Sequence, residues 1–303
     1  MMRAAVGERR HGPAPVPPQR YSAELLETFA AGEYAAFMAA GGRPLRPRLA
    51  RALALADLRP GLVVVDIGCG RGEAAAHAAR RGARVIGVDY SRGGLALSRA
   101  TAEVVGSRRD GRGRVDLALA DATALPLADA TADRVLLLDV VEHLHPWQLS
   151  EALAEVRRIV RPTGYVIIHT LPNRWALAGA YPILRWLAPD LPSEARSDYE
   201  RAVHVNEQNP LALWRALRAA GFAVRVWVEE WTTRHAARGL GRAYPDALRR
   251  RGYLVLARPV FRRFGRRLMA TPARWWFAND LFALAWVPGG HPPPAGGRFR
   301  PVR

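Results

Sequence analysis

Lysine is absent from this chain: all 45 basic residues are Arg, set against 27 acids for a formal charge of +18. Cysteine occurs once, as Cys69. That excludes an internal disulfide and any zinc site built on cysteines, and it fits a reducing, cytoplasmic setting. Long apolar runs are missing too. The charge-free stretch Trp175–Leu184 is far short of the ~20 residues a membrane-spanning helix needs, and the N-terminal sequence holds no apolar core of a secretion signal. Acids are scarcest between 232 and 279, where twelve Arg face the single acid Asp246. One segment therefore carries most of the positive excess. The ends, 1–20 and 288–303, are rich in Pro, Gly and Arg and are predicted to be disordered tails.

What is present is a chain of 303 residues, half of them apolar, long enough for one elaborated domain, predicted over 21–287. Helical spacing of apolar residues predicts a helix over Tyr21–Ala40 and a second over Arg48–Leu58, ending before Pro60 and Gly61. From Leu62 onward, strand-like runs at 62–67, 84–88, 115–118, 134–139 and 165–169 alternate with helix-like segments. Such alternation predicts an α/β, doubly wound, Rossmann-like sheet, mostly parallel and covered on both faces. The rhythm breaks at 173–206, read as a lid, and again at 232–279, read as an Arg-rich, aromatic insertion. Between them the core resumes with a helix at 210–220 and a strand at 223–229. A last strand at 281–287 brings the predicted sheet to seven.

The chemistry begins at the first strand, which runs into Asp66, Gly68, Cys69, Gly70 and Gly72. A glycine turn ahead of a helix lets backbone approach a ligand closely and offers it unpaired N–H groups. A dinucleotide fingerprint would place a third glycine where Glu73 stands, which weakens a nicotinamide reading. A carboxylate such as Asp66 is repelled by a pyrophosphate but is welcome beside ammonium and sulfonium charges. Asp89 closes the second strand, where it can accept bonds from both hydroxyls of a ribose. After the third strand, Asp121 can accept from an adenine amine while the backbone N–H of Ala122 donates to the ring.

The stretches VVVDIGCGRG (63–72), VIGVDYS (85–91), ADATALPL (120–127), DRVLLLDVVEHL (133–144) and VRPTGYVIIHTLPNR (160–174) carry a resemblance to the class I S-adenosylmethionine-dependent methyltransferases. Within that class the chain is similar to the quinone-biosynthesis O-methyltransferases, over roughly 44–231 and weakly 281–287. The resemblance implies that S-adenosylmethionine is the cofactor, with its methionine end held by Asp66 and the backbone of Gly68 and Gly70. It further implies that Tyr90 flanks the adenine and that Asp139 lies beside the sulfonium.

Transfer to a phenol or alcohol calls for a base, whereas a carboxylate acceptor needs none. His143 and Glu142 after the fourth strand, and His169 at the end of the fifth, are the candidates, with His204 a further one; each could instead cap or pack. No metal site is evident. Aromatic residues flanked by Arg in both insertions suit an apolar or lipid-linked acceptor and an anionic membrane surface, reached peripherally from the inner face. The same composition could bind RNA, with Arg on phosphates and aromatic rings on bases. Base-flipping amino transfer and cytosine-C5 transfer are disfavoured, because Asp139-Val140-Val141-Glu142 lacks the Pro-Pro-aromatic signature and Cys69 is tied to the turn. A non-catalytic cofactor-binding module remains the other alternative.

Overall fold

The computed structural model describes residues 12–28, 33–43, 45–106, 113–187, 189, 193, 194, 196, 198–229, 263, 264, 267–290, 292 and 293. Seven strands make one sheet: β1 (Val63–Ile67), β2 (Arg84–Asp89), β3 (Arg114–Leu119), β4 (Ala132–Leu138), β5 (Val160–Thr170), β6 (Ala223–Glu229) and β7 (Asp280–Trp286). Their spatial order is β3-β2-β1-β4-β5-β7-β6, parallel except that β7 runs antiparallel to both β5 and β6. The chain winds outward from β1 to β3 and then returns to place β4 on the other side of β1. Such a reversal leaves a crevice outside the carboxyl ends of the strands, here between β1 and β4.

The alternating faces of the strands explain the two layers of core. Val65, Ile67, Val135, Leu137, Val166 and Ile168 pack under α6 (Pro146–Ile159) and α9 (Pro210–Ala219) through Leu149, Leu153, Leu213 and Leu217. Their neighbours Val64, Val85, Leu136, Ile167 and Phe282 face the other way, against Leu49 and Leu53 of α3 (Pro47–Leu55) and the small face Ala74, Ala75 and Ala78 of α4 (Glu73–Arg80). Helix α5 (Arg92–Gly106) closes that side with α1 (Ala23–Thr28) and α2 (Glu33–Ala39). The helix expected over Tyr21–Ala40 is thus two described helices, preceded by a 3-10 turn, Pro18–Tyr21, in which proline fixes the first position.

Residues 12–20 of the expected tail are placed against the domain. The indole of Trp147 donates to the Pro13 carbonyl (3.1 Å), the Tyr90 hydroxyl donates to that of Val16 (3.0 Å), and Val16 is buried. Proline-rich composition withholds backbone donors but leaves these carbonyls free to accept. In the first insertion lie α7 (Arg174–Leu187) and α8 (Asp198–Val203). Of the second, 263, 264 and 267–279 are described, including a short α10 (Arg274–Phe277); its remainder, residues 1–11 and 294–303 lie outside the described residues. Among the described residues no helix is long and apolar enough to cross a membrane.

Candidate active site

The glycine turn after β1 holds its shape through backbone conformations that side chains resist. Gly68 (φ 70°) and Gly72 (φ 75°) are left-handed, and a Cβ there would stand 2.6 Å from Val140 Cγ2 and 2.4 Å from Ser98 Oγ. The N–H groups of Gly68 and Cys69 both donate to the Val88 carbonyl (2.7 and 3.0 Å), tying the turn to β2. Cys69 is buried and its thiol pKa is pushed up by burial and by Asp66, which disfavours the thiolate. Glu73, the residue in the third-glycine position, is held by two guanidinium groups. Burial opposes its charge, but Arg46 and Arg71 at 3.0 and 3.1 Å overcome this and hold its carboxyl below the usual range.

Asp66 is 2 % exposed, and its Oδ2 has no hydrogen-bond partner. Burial, then the nearby charge of Asp89, raises its carboxyl to about 7. A buried carboxylate oxygen without a donor is costly unless something fills the space before it. Asp89 is fixed by two backbone donors, Gly70 N–H to Oδ2 and Ser91 N–H to Oδ1, both 2.8 Å. Asp121 accepts from the N–H and the hydroxyl of Thr123 at Oδ1 (2.8 Å each), with Ala122 beside it. Tyr90 stands over this end with its ring 5.7 Å from that of Tyr21.

Asp139, just past β4, adopts a left-handed backbone (φ 59°), unusual for a residue with a side chain. Arg48 from α3 donates to its Oδ2 through Nε (2.9 Å), and His169 bonds its Oδ1. The other ring nitrogen of His169 meets Asp280 Oδ1 at 3.0 Å. Burial alone would discharge His169, but the two carboxylates raise it to about 9, while Arg48 and His169 outweigh burial and hold Asp139 well below the carboxylate range. The raised pKa favours an imidazolium at His169 that donates from both ring nitrogens, to Asp139 and to Asp280. His169 does not line the cavity and stands behind Asp139.

The other candidates form a cluster. Glu142 and His143 sit on a 3-10 turn, Val141–His143. Glu142 is completely buried; Oε2 accepts from the Thr170 hydroxyl (2.7 Å), Oε1 has no partner, and burial with the Asp139 charge raises it to about 8. His143 is neutral, pushed down to about 3 by burial and by His204. Its ring bonds the backbone of Val203, and Nδ1 accepts from the Tyr21 hydroxyl at 2.9 Å. The rings of His143 and His204 meet edge to face at 4.8 Å. Glu142, His143 and His204 also form the one group among the described residues that could hold a metal ion, which no sequence spacing announced. The Tyr21 and Val203 contacts already engage His143 there.

One cavity of about 250 Å³ runs through both ends. Asp66, Gly68, Cys69, Gly70, Asp89, Tyr90, Asp121, Ala122, Asp139, Glu142, His143 and His204 line it; Gly72 and His169 are not among its lining residues. Sequence reasoning missed Tyr21 and Arg48, which reach the cavity from segments far away in the chain, and Tyr199 and Glu200 on α8. Tyr21 stands at the boundary between the proline-rich tail and the first predicted helix, where nothing in the sequence marks it as facing the site.

Residues 65–168 match the family described as a methyltransferase domain. Over these residues, with the strand order and the carboxylates at the ends of β1 and β2, the chain has the features of a class I S-adenosylmethionine-dependent methyltransferase domain, and the cofactor such a domain takes is S-adenosylmethionine. The chain is 39 % identical over 141 residues to a ubiquinone biosynthesis O-methyltransferase of Azorhizobium caulinodans, covering 43 % of this chain and 51 % of that protein. It is 32 % identical over 170 residues to a probable S-adenosylmethionine-dependent methyltransferase of Mycolicibacterium smegmatis, covering 56 % and 55 %. The chain thus spans about half the length of the curated relatives it matches. In fold it is similar to phosphoethanolamine N-methyltransferase 2 of Haemonchus contortus, solved with S-adenosyl-L-methionine, at a TM-score of 0.56 and 20 % identity, over 88 % of this chain and 59 % of that one.

Proposed function

We propose that the protein transfers a methyl group from S-adenosylmethionine to the oxygen of a small apolar or lipid-linked acceptor. The observation that carries this reading is the buried, donor-less Oδ2 of Asp66 at the end of β1, beside Asp89 in a single cavity. A ligand with an ammonium group and a ribose satisfies both carboxylates at once, and a pyrophosphate would satisfy neither. When bound, the cofactor supplies a methyl group on a sulfonium centre, open to in-line displacement.

The chain's own residues then divide the work. Asp66 pairs with the ammonium, Asp89 accepts from the ribose hydroxyls, and Asp121 with the Ala122 N–H reads the adenine edge, flanked by Tyr90. Asp139, kept ionised by Arg48 and His169, presents a fixed negative charge beside the sulfonium. Apolar lining from Val16, Leu26, Leu49, Leu144 and Leu171 keeps the reacting end dry and suits an apolar acceptor. Glu142 takes the acceptor's proton at Oε1, while His143, neutral and bonded to Tyr21, holds the covering segment in place. Transfer at oxygen is also favoured by relatives named as O-methyltransferases.

A base whose pKa is about 8 keeps its own proton at lower pH. Methyl transfer from isotopically marked cofactor into an apolar lipid extract is therefore expected to rise about tenfold per pH unit up to that point and then level off. Glu142→Gln should lower the plateau by roughly a hundredfold or more and flatten the limb. An unchanged profile in the variant removes Glu142 as the base. Incorporation into an RNA extract in place of the lipid extract would overturn the acceptor class.

A further inference from the structure

Helix α7 carries Trp175, Gly179, Ile183 and Trp186 along one stripe, since these positions fall within about 80° of one another at 100° per residue. The first half of the stripe is covered. Trp175 stacks on Trp276 of α10 (5.4 Å between ring centroids, 14° between planes), and Gly179 lies against the same Trp276, where a Cβ would be in ordinary contact at 3.4 Å. The second half runs out uncovered: Ile183 is 47 % and Trp186 80 % exposed, and Trp276 itself is 48 % exposed. On the chain leading into α10, Phe264 is 64 % exposed. Large apolar side chains exposed along one helix stripe and on the helix packed against it mark an interaction site.

The charges carried by the two segments themselves have one sign. Arg174 and Arg185 on α7, and Arg263 and Arg267 ahead of α10, are exposed, and neither 174–187 nor 263–279 contains an acid. Indole rings with guanidinium groups beside them suit the depth of lipid headgroups, where the ring meets the acyl boundary and Arg meets phosphate. We propose that the face built by α7 and α10 docks on an anionic lipid bilayer, lying flat on it. At 14 residues α7 is too short to cross.

Docking there has a consequence for the cavity. Helix α7 begins three residues after the cavity-lining Leu171, and the same insertion continues into α8, which brings Tyr199 and Glu200, and then His204, to the cavity. The surface that meets lipid and the wall of the acceptor end belong to one insertion. An acceptor dissolved in the bilayer would therefore meet the protein on its lid side, a purpose that rests on the apolar acceptor proposed above, whereas the docking itself does not.

The test is sedimentation of the full chain with vesicles of phosphatidylcholine alone and of equimolar phosphatidylcholine and phosphatidylglycerol. Binding is expected to the anionic vesicles, to weaken with added salt, and to be slight on the neutral ones. The double variant Ile183→Ser, Trp186→Ser should bind the anionic vesicles roughly tenfold more weakly, with the melting temperature and the calorimetric affinity for S-adenosylmethionine unchanged. No sedimentation with anionic vesicles, equal binding by the double variant, or preferential capture of single-stranded oligouridylate each overturns the proposal. Loss of cofactor binding with vesicle binding intact would count against the proposed activity alone.

Discussion

Asp66→Asn lowers the affinity for S-adenosylmethionine roughly ten- to a hundredfold, the range expected when a charged hydrogen bond is lost from a buried site. The side chain keeps its size, so the turn above it is expected to hold. The pH dependence separates this from a general loosening. Because the Asp66 carboxyl sits at about 7 in the cavity, cofactor binding must expel its proton at lower pH. Affinity of the wild-type protein should thus fall as pH drops below 7, approaching about tenfold per unit, and binding should release a proton that buffers of different ionisation enthalpy reveal. The Asn variant should lack that dependence. Isothermal titration at pH 6 and pH 8 checks both, and equal affinity of variant and wild type at pH 8 removes Asp66 from the site.

His169→Ala is expected to cost about 3–5 kcal/mol of stability at neutral pH, because it leaves Asp139 and Asp280 without their shared buried partner. The sign of the pH effect follows from the raised pKa. The stabilisation from His169 is fully present below its ordinary 6.5 and is lost as pH climbs through about 9. Thermal melts of the wild type should therefore fall between pH 7 and pH 10, and those of the variant should change less over that window. Asp139 contributes in the opposite direction: its depressed carboxyl stabilises above the ordinary 3.8 and loses that contribution in acid. A variant as stable as the wild type at pH 7 would show that this buried partner is dispensable.

The reach of sequence reasoning follows from where each group sits in a βα unit. Asp66, Asp89 and Asp121 each close or follow a strand, and parallel strands in sequence order bring such ends together, so spacing alone assembles the cofactor half of the cavity. The acceptor half obeys no such rule. Tyr21 meets His143 across 122 residues, Arg48 meets Asp139 across 91, and Asp280 meets His169 across 111. His169 shows the difficulty most clearly. Its place at the end of β5 reads as a reactive position, and only the antiparallel register that seats Phe282 opposite it brings Asp280 to its second nitrogen. In a chain whose every cation is Arg, composition could not single out Arg46, Arg48 and Arg51, which tie the α3 end of the chain to Glu73, Asp139 and Glu229. The contacts of the proline-rich lead are hard to read for a related reason: poor helix and strand formers still supply carbonyls that side chains such as Tyr90 and Trp147 can bind.

The central claim is that the glycine turn and its carboxylates hold a sulfonium cofactor and no pyrophosphate. Titration of the purified protein with S-adenosylmethionine and, separately, with NAD tests it most directly. Saturable heat with a single site is predicted for S-adenosylmethionine and none for NAD. Folded protein that gives no heat with S-adenosylmethionine, or that binds NAD equally well, would contradict it.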